Sequence, residues 1–274
     1  MKKKLLALLM AATLVGTMFT GCGAKEEPKE DPVQEEVVDE DVAKEDVVNL
    51  EGHTLMIYCG AGMQKPFEKI AEAFQTETGC EMNVQYANAA QIQSQITTSE
   101  EGDMFIAGSV EELKPVEDYV ASQKQLVKHI PVLAVAAGNP KNITGLDSLA
   151  EEGVEFVMGD VESTPIGKIA KKALTEAGLF DKVNIIGKTP TAPQMATVIA
   201  EGEADAAIIW KENCNAEGVE IVDTTDLDAF IKTIPAALLN VNADEEAITL
   251  FNEFLDSDAA KEIWMNFGYE IVEE

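Results

Sequence analysis

The sequence contains no arginine: all 20 of its basic residues are lysine, set against 50 Asp and Glu in 274 residues, a formal charge of −30. A nucleic acid would meet a repelling field and none of the bidentate guanidinium contacts that read guanine and phosphate, which excludes it as a partner. Histidine and cysteine are scarce too, with two His and four Cys. No C-x-x-C or H-E-x-x-H spacing occurs, so no zinc site is expected. With only His53 and His129 available, neither a Ser-His-Asp nor a Cys-His arrangement can be assembled, nor is there a paired-carboxylate constellation, and we expect neither an enzyme nor a cofactor. What is present is a chain 46% apolar, long enough to bury a core in one large domain or two small ones.

No apolar run is long enough to span a bilayer, which takes about 20 residues. The longest begins the chain: Lys2, Lys3 and Lys4, then Leu5 to about Val15, then small residues ending in Phe19-Thr20-Gly21-Cys22. This is the charged, apolar and small-residue order of a secretory signal over residues 1–21. The last four residues resemble the bacterial lipobox, which implies cleavage before Cys22 and a lipid on that cysteine. The alternative is an ordinary secretory signal with an incidental cysteine. From Cys22 to Glu51 the chain is rich in Glu, Asp, Pro and Val without a sustained period, the composition of an extended acidic tether. The expected address is the outer face of the cell membrane, with the membrane reached through the lipid anchor.

From Leu55 onward short apolar runs alternate with amphipathic stretches, the pattern of an α/β fold with mostly parallel strands. Strands are expected at 55–58, 82–86, 103–107, 132–136, 154–158, 183–186, 205–210 and 218–222, and helices at 66–78, 89–98, 165–177 and 193–201. Two strands are entered through Ile-Pro, at Ile130-Pro131 and Ile234-Pro235, and proline is tolerated at a strand start. If both cross between lobes, residues 52–131 and 236–274 form one lobe, residues 132–235 a second, and two strands form the hinge. The alternative is two unrelated edge strands in one sheet.

In open α/β sheets ligands bind at the carboxyl ends of strands, where helix starts present unpaired N–H groups. Four loops qualify: Gly60-Ala61-Gly62-Met63, Asn88-Ala89-Ala90-Gln91, Ser163 through Lys168, and Thr189 through Gln194. Lys65 stands where a dinucleotide fingerprint needs glycine. Each loop alone is a capped helix start, and four on facing lobes make a cleft lined by backbone donors. Trp210 either closes a pocket or packs the lobes, and Lys168 either assists an anion or, the expectation here, lies on a solvated helix face. Cys59 and Cys80 fall at opposite ends of adjacent strands, roughly 20 Å apart at about 3.3 Å per residue, too far to pair. Cys214 has no evident partner, and His53 and His129 default to structural or surface roles.

Tyr58 through Met63, Gly102 through Ala107, Gly159-Asp160 with Thr164 through Lys168, and Glu201 through Asp205 with Trp210 resemble the molybdate-binding periplasmic proteins of ABC importers. The similarity covers nearly all of Leu55 to Val272. It implies a two-lobed periplasmic-binding-protein fold of type II, a monomer, and a small oxyanion ligand, molybdate or tungstate first, passed to an ABC permease and ATPase. Carried over residue by residue, the ligand positions fall on Gly62, Ala89 and Ala90, Ile166, Ala192 and Trp210. The family's hydroxyls are replaced here by Gly62 and by Ala89 or Ala90, and its tyrosine by Trp210. Each missing bond is worth roughly 1.5–3 kcal/mol to a charged ligand. A binding protein or sensor of the same fold for an organic molecule or a metal ion, with Cys59, Met63 and Glu212 near the cleft, is the alternative, and an adhesion lipoprotein is a further one.

Overall fold

In the computed structural model the described residues are 49–162, 164–215, 217–241 and 243–273. The secretory signal, Cys22, nearly all of the acidic segment, and Ser163 lie outside them. The chain runs β1 (Thr54–Gly60), α1 (Gln64–Thr78), β2 (Glu81–Ala87), α2 (Ala89–Ser99), β3 (Met104–Ile106), β4 (Val120–His129) and β5 (Pro131–Ala136). It continues through β6 (Phe156–Gly159), α3 (Pro165–Glu176), β7 (Ile185–Thr189), α4 (Ala192–Ala200), β8 (Ala206–Trp210) and β9 (Val219–Ile221). The last elements are β10 (Lys232–Leu239), α5 (Glu245–Phe254), α6 (Asp258–Asn266) and β11 (Glu270–Ile271).

Two sheets result, each the floor of one lobe: β11-β4-β10-β3-β1-β2 and β7-β6-β8-β5-β9. Each carries helices and its own apolar core. Phe67, Phe74, Phe251 and Trp264 fill the first, and Phe156, Met158, Leu174 and Ile208 the second. The sheets are more mixed than the expected parallel pattern. β1 pairs in parallel with β2 and β3, and β6 with β7 and β8, while β10 runs antiparallel to β3 and β4, and β5 antiparallel to β8 and β9. The strands adjoining the crossings bring the antiparallel pairing, because each enters its sheet from the other lobe. β4 was not foreseen: its Ser122, Gln123, Lys124 and Gln125 show no apolar alternation, and its outer edge pairs only at its end with β11.

The chain leaves the first sheet at Ile130, between β4 and β5, and returns between Ile221 and Lys232. Pro235 is therefore not a strand entry. It sits inside β10, within the first sheet, where the register with β4 shifts between Ile234 and Pro235. A residue without an N–H breaks the ladder, and the bulge absorbs the break. Lys232 to Pro235 accordingly belong to the first lobe. The acidic segment also ends earlier than its composition suggests: Leu50 is buried in the first core, and its N–H donates to Thr78 O at 2.7 Å. Cys59, Cys80 and Cys214 are free thiols. Burial pushes the Cys59 thiol well above its usual range, Cys80 up to about 11 and Cys214 up to about 12.

Candidate functional site

Parallel register sets the geometry of the first lobe's edge. Gly60 pairs with Ala87 and Cys59 with Ile106, so the carboxyl ends of β1, β2 and β3 lie side by side. Ala61–Met63 form a single 3-10 turn leading into α1, with no side-chain cap. Gly62 is exposed. A Cβ placed on it meets nothing within 4 Å, and its φ lies outside the left-handed region. At α2, Asn88 and Gln91 form a capping box, Gln91 N–H donating to Asn88 Oδ1 at 3.0 Å. That box leaves the N–H groups of Ala89 and Ala90 at the open start of the helix.

The second lobe builds its edge more tightly. Gly159 pairs with Thr189, placing the starts of α3 and α4 next to each other, and Asp160 N–H donates to Thr189 O at 2.8 Å. Thr164 caps α3, accepting from Gly167 N–H at 3.0 Å and donating its hydroxyl to Asp160 O at 2.7 Å. Pro165 has no N–H, so Ile166 supplies the free donor of that first turn. Its side chain is buried, which makes the amide the part that can face a ligand. At α4, Thr191 accepts from Gln194 N–H at 3.4 Å and Pro193 again lacks a donor, leaving Ala192. The helix-to-strand approach depends on two glycines. A Cβ on Gly167 would come within 2.4 Å of Gly159 O, and one on Gly159 within 3.0 Å of Gly167 N.

Trp210 ends β8 opposite Pro131. It is buried and stacked on His129, ring centroids 3.5 Å apart at 21°. His129 Nδ1 lies 3.3 Å from Gly108 O at the end of β3, and Nε2 lies 3.0 Å from Glu212 Oε1. Gly108 O can only accept, so Nδ1 is the donor of that bond, and Nε2 is engaged by the Glu212 carboxyl. Gly108 N–H in turn donates to Glu112 Oε2 at 2.8 Å, and burial raises the Glu112 carboxyl above its ordinary range. Tyr269, buried beside Glu212, has its phenol pushed up by burial first and then by that carboxylate. Lys211 beside them pairs with Glu270 of β11, which holds Glu270 below the usual carboxylate range. Lys211 N–H donates to Ile130 O at 2.9 Å, at the crossing itself.

Of the six positions read from sequence, the fold brings Gly62, Ala89 and Ala90 to one edge and Ile166, Ala192 and Trp210 to the other. Glu212 does not stand free at the rim: its side chain is only 9% exposed and is engaged by His129. The residues that join the two edges, His129, Gly108, Glu112 and Tyr269, were not singled out as site residues. Only the His129-Ile130-Pro131 run marked the place, and its partner Glu212 lies 83 residues away. Lys168, exposed as expected, lines a cavity of about 340 Å³ beside the start of α3. Among the described residues no group of three or more His, Cys, Asp or Glu is placed to hold a metal ion.

A family model described as bacterial extracellular solute-binding protein matches residues 55–270. A Haemophilus influenzae protein described as a binding protein is 29% identical over 229 residues, 78% of this chain and 89% of that protein. The molybdate-binding protein ModA of the same organism is 20% identical over 226 residues, 78% of this chain and 88% of that one. Among solved structures, a substrate-binding domain assigned to a molybdenum ABC transporter from Clostridium difficile superposes with a TM-score of 0.69 at 25% identity. The match covers 80% of this chain and 99% of that one. The sulfate-binding protein SubI of Mycobacterium tuberculosis shares the fold at TM-score 0.62 and 16% identity, over 81% of this chain and 88% of that one. Iron-bound HitA of Pseudomonas aeruginosa does so at 0.63 and 15%, over 78% and 84%.

Proposed function

This chain belongs to the bacterial extracellular solute-binding protein family, and from that premise we propose that it binds molybdate or tungstate between its lobes for an ABC permease and ATPase. The observation carrying the ligand class is that each lobe has helix starts at the carboxyl ends of its parallel strands. Their unengaged donors are main-chain N–H groups at Gly62, Ala89, Ala90, Ile166 and Ala192. Helix starts favour anions through both these donors and the helix dipole. Backbone donors survive any substitution except proline, so the site keeps its anion preference without side-chain hydroxyls at Gly62, Ala89 and Ala90. The molybdate-binding and molybdenum-transport relatives give the same direction.

The reading is of a monomeric, non-catalytic carrier, anchored outside the cell through a lipid on Cys22. Closure about the crossing at Ile130 and the segment 222–231 is its working motion. Isothermal calorimetry with molybdate, tungstate, sulfate and phosphate tests the ligand: saturable heat with at least one is expected, and none with any of the four contradicts the reading. For the anchor, Cys22→Ser is expected to move the protein from the detergent phase to the aqueous phase in partition, and a variant that stays with the membrane refutes lipidation. A different small ligand of the same cleft is the second reading, favoured by the buried Trp210 ring, which offers no hydroxyl and is stacked on His129.

A further inference from the structure

Beside the start of α3, but not part of the donor set described above, lies the cavity of about 340 Å³. Its walls come from both lobes. Lys168, Ile169 and Lys172 stand on successive turns of α3, Phe230 lies in the segment returning to the first lobe, and Lys232 and Glu111 belong to the first lobe. Three ammonium groups thus face one carboxylate in a chain whose overall charge is −30.

The local charges are only partly balanced. Glu111 is taken by Lys232 at 3.1 Å. Its carboxyl is held down at about 2, by backbone N–H bonding first and then by the Ser109 hydroxyl, with Lys232 adding to the effect. Lys172 has an exposed, long contact to Glu176 at 3.8 Å and sits 5.5 Å from the Phe230 ring centroid. Lys168 has no ion-pair partner among the described residues. The floor, by contrast, is apolar, with Ile169 buried and the Phe230 ring partly so.

A tetrahedral inorganic ion needs neither that much space nor an apolar floor. Cavities of about 300 Å³ and above are the size that takes small organic ligands. We propose that this cavity is a second anion site, distinct from the cleft, which takes a small organic polyanion of the di- or tricarboxylate class. Its charged ends lie on lysines of both lobes and its carbon chain on Phe230 and Ile169. Lys168 and Lys172 move with the second lobe and Lys232 with the first, so an occupant ties the lobes together beside the crossing segment. The interaction is electrostatic at partly exposed groups and weakens as salt is raised.

Citrate, titrated calorimetrically into the full chain at low ionic strength, is the probe, with inorganic phosphate as the size control. Saturable citrate binding is expected, persisting at saturating molybdate and weakened at least tenfold in the Lys168→Gln/Lys172→Gln double variant. The Lys171→Gln/Lys182→Gln variant removes the same charge outside the cavity, and it is expected to bind citrate as the wild type does. Circular dichroism checks the fold of both variants. Absence of saturable citrate binding overturns the proposal, as does equal weakening in both variants or no weakening in the first. Citrate displaced by molybdate also overturns it, by placing the organic anion in the cleft. A chain that binds citrate but none of the four oxyanions leaves this site standing while refuting the cleft reading.

Discussion

Each lobe presents helix starts at the carboxyl ends of its parallel strands, but the two lobes build them differently. In the second lobe the start of α3 is clamped: Thr164 bonds on both sides, Gly159 and Gly167 meet backbone to backbone, and the Ile166 side chain is sunk in the core. In the first lobe Gly62 stands exposed, with open space where a side chain would go. The clamped lobe fixes where its amide donors point whatever the side chain, whereas the open lobe leaves room at Gly62 for a side chain. Side-chain change is thus tolerated at Gly62, while the packing of the first lobe depends on residues away from that edge, such as the buried Leu50.

The largest effect should come from that distant anchor. Leu50→Ala removes a fully buried side chain, and a loss of about 2–5 kcal/mol in denaturant unfolding is expected. A chain beginning at Gly52 should lose the same contact, and unchanged stability in either case would show that lobe one does not depend on it. Next, Gly167→Ala forces a methyl to within 2.4 Å of Gly159 O and 2.7 Å of Asp160 O, and should cost about 1–3 kcal/mol. Gly62→Ala should leave the thermal midpoint unchanged. Equal shifts in these two variants would erase the distinction between clamped and open lobes.

Affinity sharpens the comparison further. Ile166→Pro deletes the donor, while Ile166→Val keeps it with only a small change in the core. At least a tenfold loss of molybdate affinity, about 1.4 kcal/mol, is expected for the first and little for the second. Matching affinities would mean that the Ile166 amide does not hold the ligand. The smallest effect expected is a gain: Gly62→Ser adds a hydroxyl at an unstrained, uncrowded position and should tighten tungstate binding by about threefold to tenfold. Calorimetry showing no change would place Gly62 away from the bound ion.

Much of this arrangement was legible in the sequence, because strands and helices with clear periods, such as β1, α1, α3 and β8, carry their own signal. The four cleft loops follow those elements, and proline with a threonine cap marked the starts of α3 and α4. Four features had no local signal. β4 is a Lys- and Gln-rich strand whose pairing with β10 comes from a partner about a hundred residues away. Pro235 reads as a strand entry, but a bulge lets it sit inside the sheet. Leu50 looks like part of the acidic segment because burial of a single apolar residue after a charged run leaves no period to read. The His129–Trp210–Glu212 cluster was hidden for the same reason as β4: its members meet only after two separate lobes fold.

The central claim is that main-chain donors from both lobes hold the oxyanion. Backbone amide NMR during a molybdate titration tests it most directly. The largest shifts are expected at the amides of Gly62, Ala89, Ala90, Ile166 and Ala192, saturating together with one affinity. Saturable binding that leaves those five amides unmoved, or shifts confined to one lobe, would contradict it.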